Sequence, residues 1–267
     1  MSRFLDLQQA FVDRIEADRY IGLDTSILFY NKLQESIEKP LKMILLFGKP
    51  GTGKSVLMNK LYHDHMDSGT LFFIDTPVLD EREFIATLYA FVFDKPLEKA
   101  ISFNRFIQLL HGLKEHRHIT VLLDEAQLYS SEMMEKIRLI SDTRVIKFVV
   151  ALHKTDREDL IAKEHFQSRI WETIELKNGT VHDTLVYLQK KMVMHNAFEI
   201  ASMISPKNVK LIHRLTQGNY REINKLMFTL LEIYDYYEGK APSKIAGGTF
   251  QNRYIEMAGL KLGYIHA

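Results

Sequence analysis

The sequence predicts an α/β fold, a parallel sheet with helices on both faces, followed by a small all-helical unit. Short apolar runs alternate with helix-period segments up to residue 176, and no convincing strand follows. The stretch "LLFGKPGTGKSVLMNKL" adds a buried strand that runs through a glycine-rich loop into a helix.

Apolar spacing of helical period marks 4–15 and then 27–37. "KMILLFG", residues 42–48, is a short apolar run ending at glycine, as in a buried parallel strand, and a helix follows over 54–65. "TLFFID" (70–75) is the next strand. Asp80 caps the helix "EREFIATLYAFVF", and Ser102 starts another through His116. "HITVLLDEAQ" (118–127) reads as a strand ending in acids, Ser131 opens the helix "EMMEKIRLI", and 145–152 and 170–176 complete five strands. Beyond them, helices are predicted over 180–195, from the Ser205-Pro206 cap to about 216, and over 220–237 after Gly218. These spans divide the chain into a core at 1–176, with the N-terminal helices included, a three-helix lid at 177–238, and a tail at 239–267. The tail is a linker with a short amphipathic segment at 250–262.

Bulk composition sets wide bounds. Lys and Arg number 35 against 34 Asp and Glu, so no whole-chain field demands nucleic acid or a membrane surface. Residues 177–267 carry 12 basic and 7 acidic side chains, a mild basic bias that solvated helix faces explain. The absence of cysteine excludes disulfides, thiolate metal sites and a cysteine nucleophile. A charged, amphipathic N-terminus and the lack of a run of about 20 apolar residues lead to the expectation of a cytoplasmic protein without an integral membrane span.

Gly48, Gly53, Lys54 and Ser55 fit G-x-x-x-x-G-K-[ST], with Lys49, Pro50, Gly51 and Thr52 between them and Val56 opening the helix. Glycines let backbone N–H groups curl around phosphate oxygens, and the helix N-terminus adds partial positive charge. Lys54 is placed to reach the β- and γ-phosphates, and the Ser55 hydroxyl to ligate Mg²⁺. In "VLLDEAQ" a strand delivers Asp124, whose carboxylate can hold Mg²⁺ through water, and Glu125 follows, suited to polarising an attacking water. Together these predict a hydrolytic nucleoside triphosphatase.

Other residues invite readings that packing explains better. His63 and His65 flank Asp64, but residues two apart do not share a helix face, which argues against zinc. The tyrosines of "LLEIYDYYEG" are as well explained by helix-period packing as by base stacking.

The motifs "GKPGTGKS", "VLLDEAQLYSSEMMEKIRLI", "FQSRI" and "IHRLTQGNYREINKL" resemble those of AAA+ ATPases, and within them the ExeA/GspA-like branch that includes MshM-like proteins. The resemblance runs from about residue 20 to 238. It implies ATP rather than another nucleotide. It also implies that Arg169, in "FQSRI", reaches the γ-phosphate of a neighbouring subunit, and that Arg221, in "GNYREIN", senses the same phosphate from the lid. His153 stands where the family places its first sensor, in a Leu-His-Lys setting that departs from the usual Gly-Gln-Pro. Tyr20, Ile21 and Gly22 fall where the family's linker packs on adenine.

The resemblance implies an ATPase that forms a homo-oligomer or ring and drives assembly of a secretion, pilus or DNA-uptake machine, with any membrane link made through a protein partner. The alternative is a DNA-acting ATPase of the transposition-helper or replication-loader type. That reading asks for a basic face, for which Lys190, Lys191, Lys207, Lys210 and Arg214 are the candidates.

Overall fold

The computed structural model describes residues 3–12, 20–113, 117–153 and 169–265. In chain order the strands are β1 (Met43–Gly48), β2 (Leu71–Ile74), β3 (Ile119–Leu123), β4 (Ile146–His153) and β5 (Ile170–Leu176). They form one parallel sheet in the order β2-β3-β4-β1-β5. The helices are α1 (Arg3–Gln8), α2 (Asp24–Glu38), α3 (Lys54–His65), α4 (Glu81–Phe93), α5 (Phe103–His111), α6 (Ser131–Asp142), α7 (Val181–Met194), α8 (Phe198–Ser202), α9 (Pro206–Thr216), α10 (Tyr220–Lys240) and α11 (Asn252–Lys261).

Side-chain alternation along the strands builds two cores from one sheet. Phe148 and Val150 of β4 point to the layer of α4, α5 and α6, where Phe84, Phe106 and Ile137 are buried. Val149 and Ala151 point to the opposite layer, against Leu33 of α2 and Leu57, Met58 and Leu61 of α3. With both faces covered, the central strands can be buried throughout, as "ITVLL" of β3 is. The parallel five-stranded sheet with helices on both faces is therefore as the sequence predicts.

Several elements end elsewhere than their periodicity suggests. The segment expected as a strand over 118–127 stops at Leu123, because Glu125 adopts the left-handed region (φ 48°) and the chain turns into a 3₁₀ turn at Ala126–Leu128. The helix expected through His116 closes at His111 with Gly112 as its cap, and 114–116 lie outside the described residues. The first helix gives way at Gln9–Phe11 to a 3₁₀ turn, and the rest of its expected span, from 13, also lies outside them. Ser130, not Ser131, caps α6, its hydroxyl accepting from the Met133 amide at 3.1 Å. α2 starts at Asp24 rather than 27, where the Ser26 hydroxyl accepts from the Leu23 amide at 2.9 Å.

The largest difference concerns packing beyond β5. The helical unit holds α7 to α11, not three helices, and α1 belongs to its core: Phe4, Leu7, Ala10 and Phe11 are buried with Leu188, Leu226, Leu230 and Tyr234. The tail packs there too, burying Phe250, Tyr254, Ile255 and Ala258. Tyr234 is the hub, fully buried among the rings of Phe4 (5.3 Å), Phe250 (4.9 Å) and Tyr254 (5.4 Å). Its hydroxyl accepts from the Gln251 amide at 2.8 Å, which satisfies a polar atom in an apolar setting. Among the described residues no helix is long and apolar enough to cross a membrane.

Candidate functional site

The carboxyl ends of β1, β3 and β4 converge on one edge of the sheet, the position at which parallel α/β sheets bind ligands. β1 delivers the loop from Gly48 to Gly53, with Gly51 (φ 81°) and Gly53 (φ 93°) in the left-handed region that lets consecutive amides curl inward. α3 begins at Lys54 directly after Gly53, so its first-turn amides, which have no intrahelical acceptors, open into the cleft. Gly51, Thr52, Gly53, Lys54, Ser55 and Val56 line that cleft. Gly48 lies at the strand end, where an added Cβ would meet the Leu176 carbonyl oxygen at 2.4 Å.

Lys54 is only 4% exposed, and its ammonium donates to the carbonyls of Gly48 (2.8 Å) and Lys49 (3.2 Å). A cation buried at the mouth of an amide-lined loop suits a multiply charged anion. Asp124, also 4% exposed, follows β3; its carboxylate accepts from the Ser55 hydroxyl and, at 2.8 Å, from the Glu125 amide. Burial, reinforced by the charge of Glu125, raises its pKa above the usual carboxylate value, against the pull of Ser55 and Lys54. A paired hydroxyl and carboxylate with too little positive charge nearby is the donor set that a hard divalent cation completes. The residues thus fit a magnesium-bound triphosphate.

Glu125 projects from a backbone conformation that is rare for a non-glycine residue, a form of strain that concentrates at functional sites. One carboxylate oxygen lies 3.1 Å from His153 Nε2, and the other accepts a short hydrogen bond from the Gln127 amide. Burial and then the Lys54 ammonium push the His153 pKa below the ordinary imidazole value, against the opposing pull of Glu125 and Asp124.

The C-terminal helical region meets the loop directly. Asn219 caps α10, its Oδ1 accepting from the amides of Arg221 (3.1 Å) and Glu222 (3.3 Å), while its Nδ2 donates to the Pro50 carbonyl at 2.7 Å. The Tyr220 amide donates to the Gly51 carbonyl at 3.2 Å. This contact depends on Gly51: an added Cβ would lie 2.2 Å from Asn219 Oδ1 and 2.8 Å from Arg221 Cβ. Gly51→Ala is therefore expected to lower unfolding free energy by about 2 kcal/mol, from left-handed strain plus lost contact with that region. Chemical denaturation checks this, and the same change at the exposed, right-handed-tolerant Gly239 is the control.

The structure places Glu125, His153 and Arg221 on the same cleft as the phosphate loop, with Tyr20 and Ile21 forming an apolar wall beside it. Arg169 is elsewhere. It precedes β5 at the end of the sheet where Met43 pairs with Ile170, while Gly48 pairs with Leu176 at the other end. The five rises from Met43 to Gly48 along β1 separate those ends by about 17 Å. There its guanidinium lies 3.5 Å from Asp142, which Lys42 also holds at 2.6 Å. Arg169 cannot reach its own cleft. The flanking "FQS" and Lys154 lie outside the described residues. At the histidine pair, Asp64 is engaged by the Tyr30 hydroxyl and the Lys60 ammonium.

Gln127 and Asn219 join the site in addition to the residues expected from the sequence. Asn219 stands three residues before Glu222, a readable cap signal, but its reach to Pro50 is not readable. Gln127 carries no local signal at all.

Residues 37–161 match the family model described as an AAA domain. No curated protein matches the sequence. Among solved structures, the chain superposes on Cdc6p from Pyrobaculum aerophilum with a TM-score of 0.62, at 14% identity over 95% of this chain and 70% of that one. A Walker-type ATPase of Pyrococcus abyssi gives a TM-score of 0.61 at 18% identity, over 95% of this chain and 77% of that one. The ORC1 protein of Aeropyrum pernix, in complex with DNA, gives 0.59 at 15% identity, over 96% and 69%. The fold is that of the AAA+ P-loop nucleoside triphosphatases, with a C-terminal helical region.

Proposed function

We propose that this chain binds ATP with Mg²⁺ in the cleft and hydrolyses it, and that hydrolysis requires a second copy of the chain. The observation that carries the reading is the convergence of a buried Lys54, the Ser55–Asp124 pair and the held Glu125 around the first turn of α3. The loop amides and Lys54 would receive the phosphates, and Ser55 and Asp124 would hold the metal, which when bound neutralises phosphate charge. Glu125 would accept a proton from the attacking water. His153 and Arg221, on the same cleft, would register the terminal phosphate. Arg169, at the far end of the sheet, would serve a neighbour's cleft, which links turnover to assembly.

The experiment is specific activity against protein concentration. Wild-type turnover per chain is expected to rise with concentration, whereas Arg169→Ala binds ATP normally and stays flat. A rise unchanged in Arg169→Ala would remove the trans role.

What the assembled ATPase works on divides into two readings. The sequence resemblance to the ExeA/GspA-like branch supports remodelling of a protein partner in a secretion, pilus or DNA-uptake machine. A second reading, action on DNA, is supported by α9: Lys207, Lys210 and Arg214 are exposed at positions three and four apart, and no acidic residue lies on that helix. Turnover stimulated by duplex or single-stranded DNA at low salt, and lost when these three become glutamate, selects the second; no response to DNA selects the first.

A further inference from the structure

Gln127 lies exposed in the 3₁₀ turn after β3, and its side chain reaches Glu125 and His153, which line the cleft. Its amide orientation is set by the backbone N–H of His153, which can only donate and does so to Gln127 Oε1 at 3.4 Å. Nε2 is thereby turned the other way. It donates to one Glu125 carboxylate oxygen and lies 3.3 Å from His153 Nδ1.

An amide nitrogen has two hydrogens and no lone pair to offer, so Nδ1 must be the acceptor. In a neutral imidazole the single proton then sits on Nε2, and Nε2 is 3.1 Å from the other Glu125 oxygen. Glu125, Gln127 and His153 form a closed cluster in which the Gln127 amide bonds both partners and the Nε2 edge of the imidazole lies beside the other Glu125 oxygen. Burial and the Lys54 charge disfavour the imidazolium form.

We propose that Gln127 is a positioning residue that locks His153 in its Nε2–H tautomer and, through that proton and its own amide, aims the Glu125 carboxylate. The proposal deepens the hydrolytic reading above and rests on it. Without the Gln127 amide, Nδ1 loses this donor, the imidazole is free to exchange its proton between nitrogens, and the Glu125 carboxylate loses the amide that holds it. Nucleotide binding, which uses the loop and Lys54, is untouched.

Two variants and two readouts test this. In Gln127→Ala the cluster loses its amide. In Gln127→Glu the shape is kept but the donor becomes an acceptor, which calls for a proton on Nδ1. Imidazole ¹⁵N spectra of the nucleotide-free protein, with the His153 signal identified by its loss in His153→Asn, are expected to show Nε2–H in the wild type. They are expected to show a tautomer mixture in Gln127→Ala and an Nδ1–H or imidazolium form in Gln127→Glu. In steady-state ATP hydrolysis both variants are expected to lose on the order of tenfold or more in kcat, with KM for ATP within about twofold. Wild-type kcat in both variants, or an Nε2–H tautomer that survives both, would overturn the proposal. Absence of hydrolysis by the wild type would fell the hydrolytic reading itself. That failure is distinguishable, because the tautomer is read without nucleotide.

Discussion

Lys54→Ala is expected to lose at least on the order of a hundredfold in affinity for MgATP, with no measurable turnover. Charge-assisted contacts to a phosphate contribute about 1.5–3 kcal/mol each, and 1.4 kcal/mol is a tenfold change in binding. Lys54 is nearly fully buried beside the loop, so its charge acts in a setting where water screens it poorly. The nucleotide-free variant should be as stable as the wild type or slightly more so, since the substitution removes a desolvated cation that rests on two carbonyls. Calorimetric titration and thermal unfolding together check this. Weak binding with unchanged Tm supports the account, whereas lost binding with a collapsed Tm would assign Lys54 a structural role.

Glu125→Gln is expected to separate binding from chemistry. The side chain keeps its volume and its left-handed backbone, so the loop, Lys54 and the Ser55–Asp124 pair stay in place. The amide cannot accept a proton from water, and its own N–H₂ now faces donors at His153 and Gln127, which forces one contact to open. Loss of a positioned general base costs about 10²–10⁴-fold in rate. Turnover should fall into that range while ATP affinity holds, so that ATP remains intact on the protein. Single-turnover measurement of bound nucleotide reads it directly: retained ATP supports the assignment, and normal turnover removes Glu125 from the base role.

How much of this the sequence discloses depends on where each partner lies along the chain. The phosphate loop is contiguous from Gly48 to Ser55, and its strand and helix are its immediate neighbours, so both motif and context can be read locally. Asp124 and Glu125 are likewise legible, since both directly follow a largely apolar strand. The strand's end is not legible, because apolar patterning cannot report that Glu125 turns left-handed. The cluster at Glu125 joins residues 26 apart, Gln127 and His153, and depends on β3 pairing with β4, a register that no short window contains.

The C-terminal helical region shows the same limit. α7, α9 and α10 have caps that are plain in the sequence: Thr180, Ser205 and Asn219. That Phe4 and Phe250 meet around Tyr234 is a matter of tertiary packing across most of the chain's length, and helical periodicity fixes only which face is apolar, not what covers it. Arg169 illustrates the reverse case. Its motif suggested proximity to a phosphate, and the sheet register shows that this phosphate cannot be its own.

The most direct test of the central claim is release of inorganic phosphate from MgATP by the purified wild-type chain, compared with the same protein in excess chelator and with Glu125→Gln. The account predicts release that needs the divalent metal and disappears in Glu125→Gln while ATP stays bound. Tight ATP binding with no release by the wild type, at any protein concentration and with or without DNA, would contradict it and leave a nucleotide-gated binding module in its place.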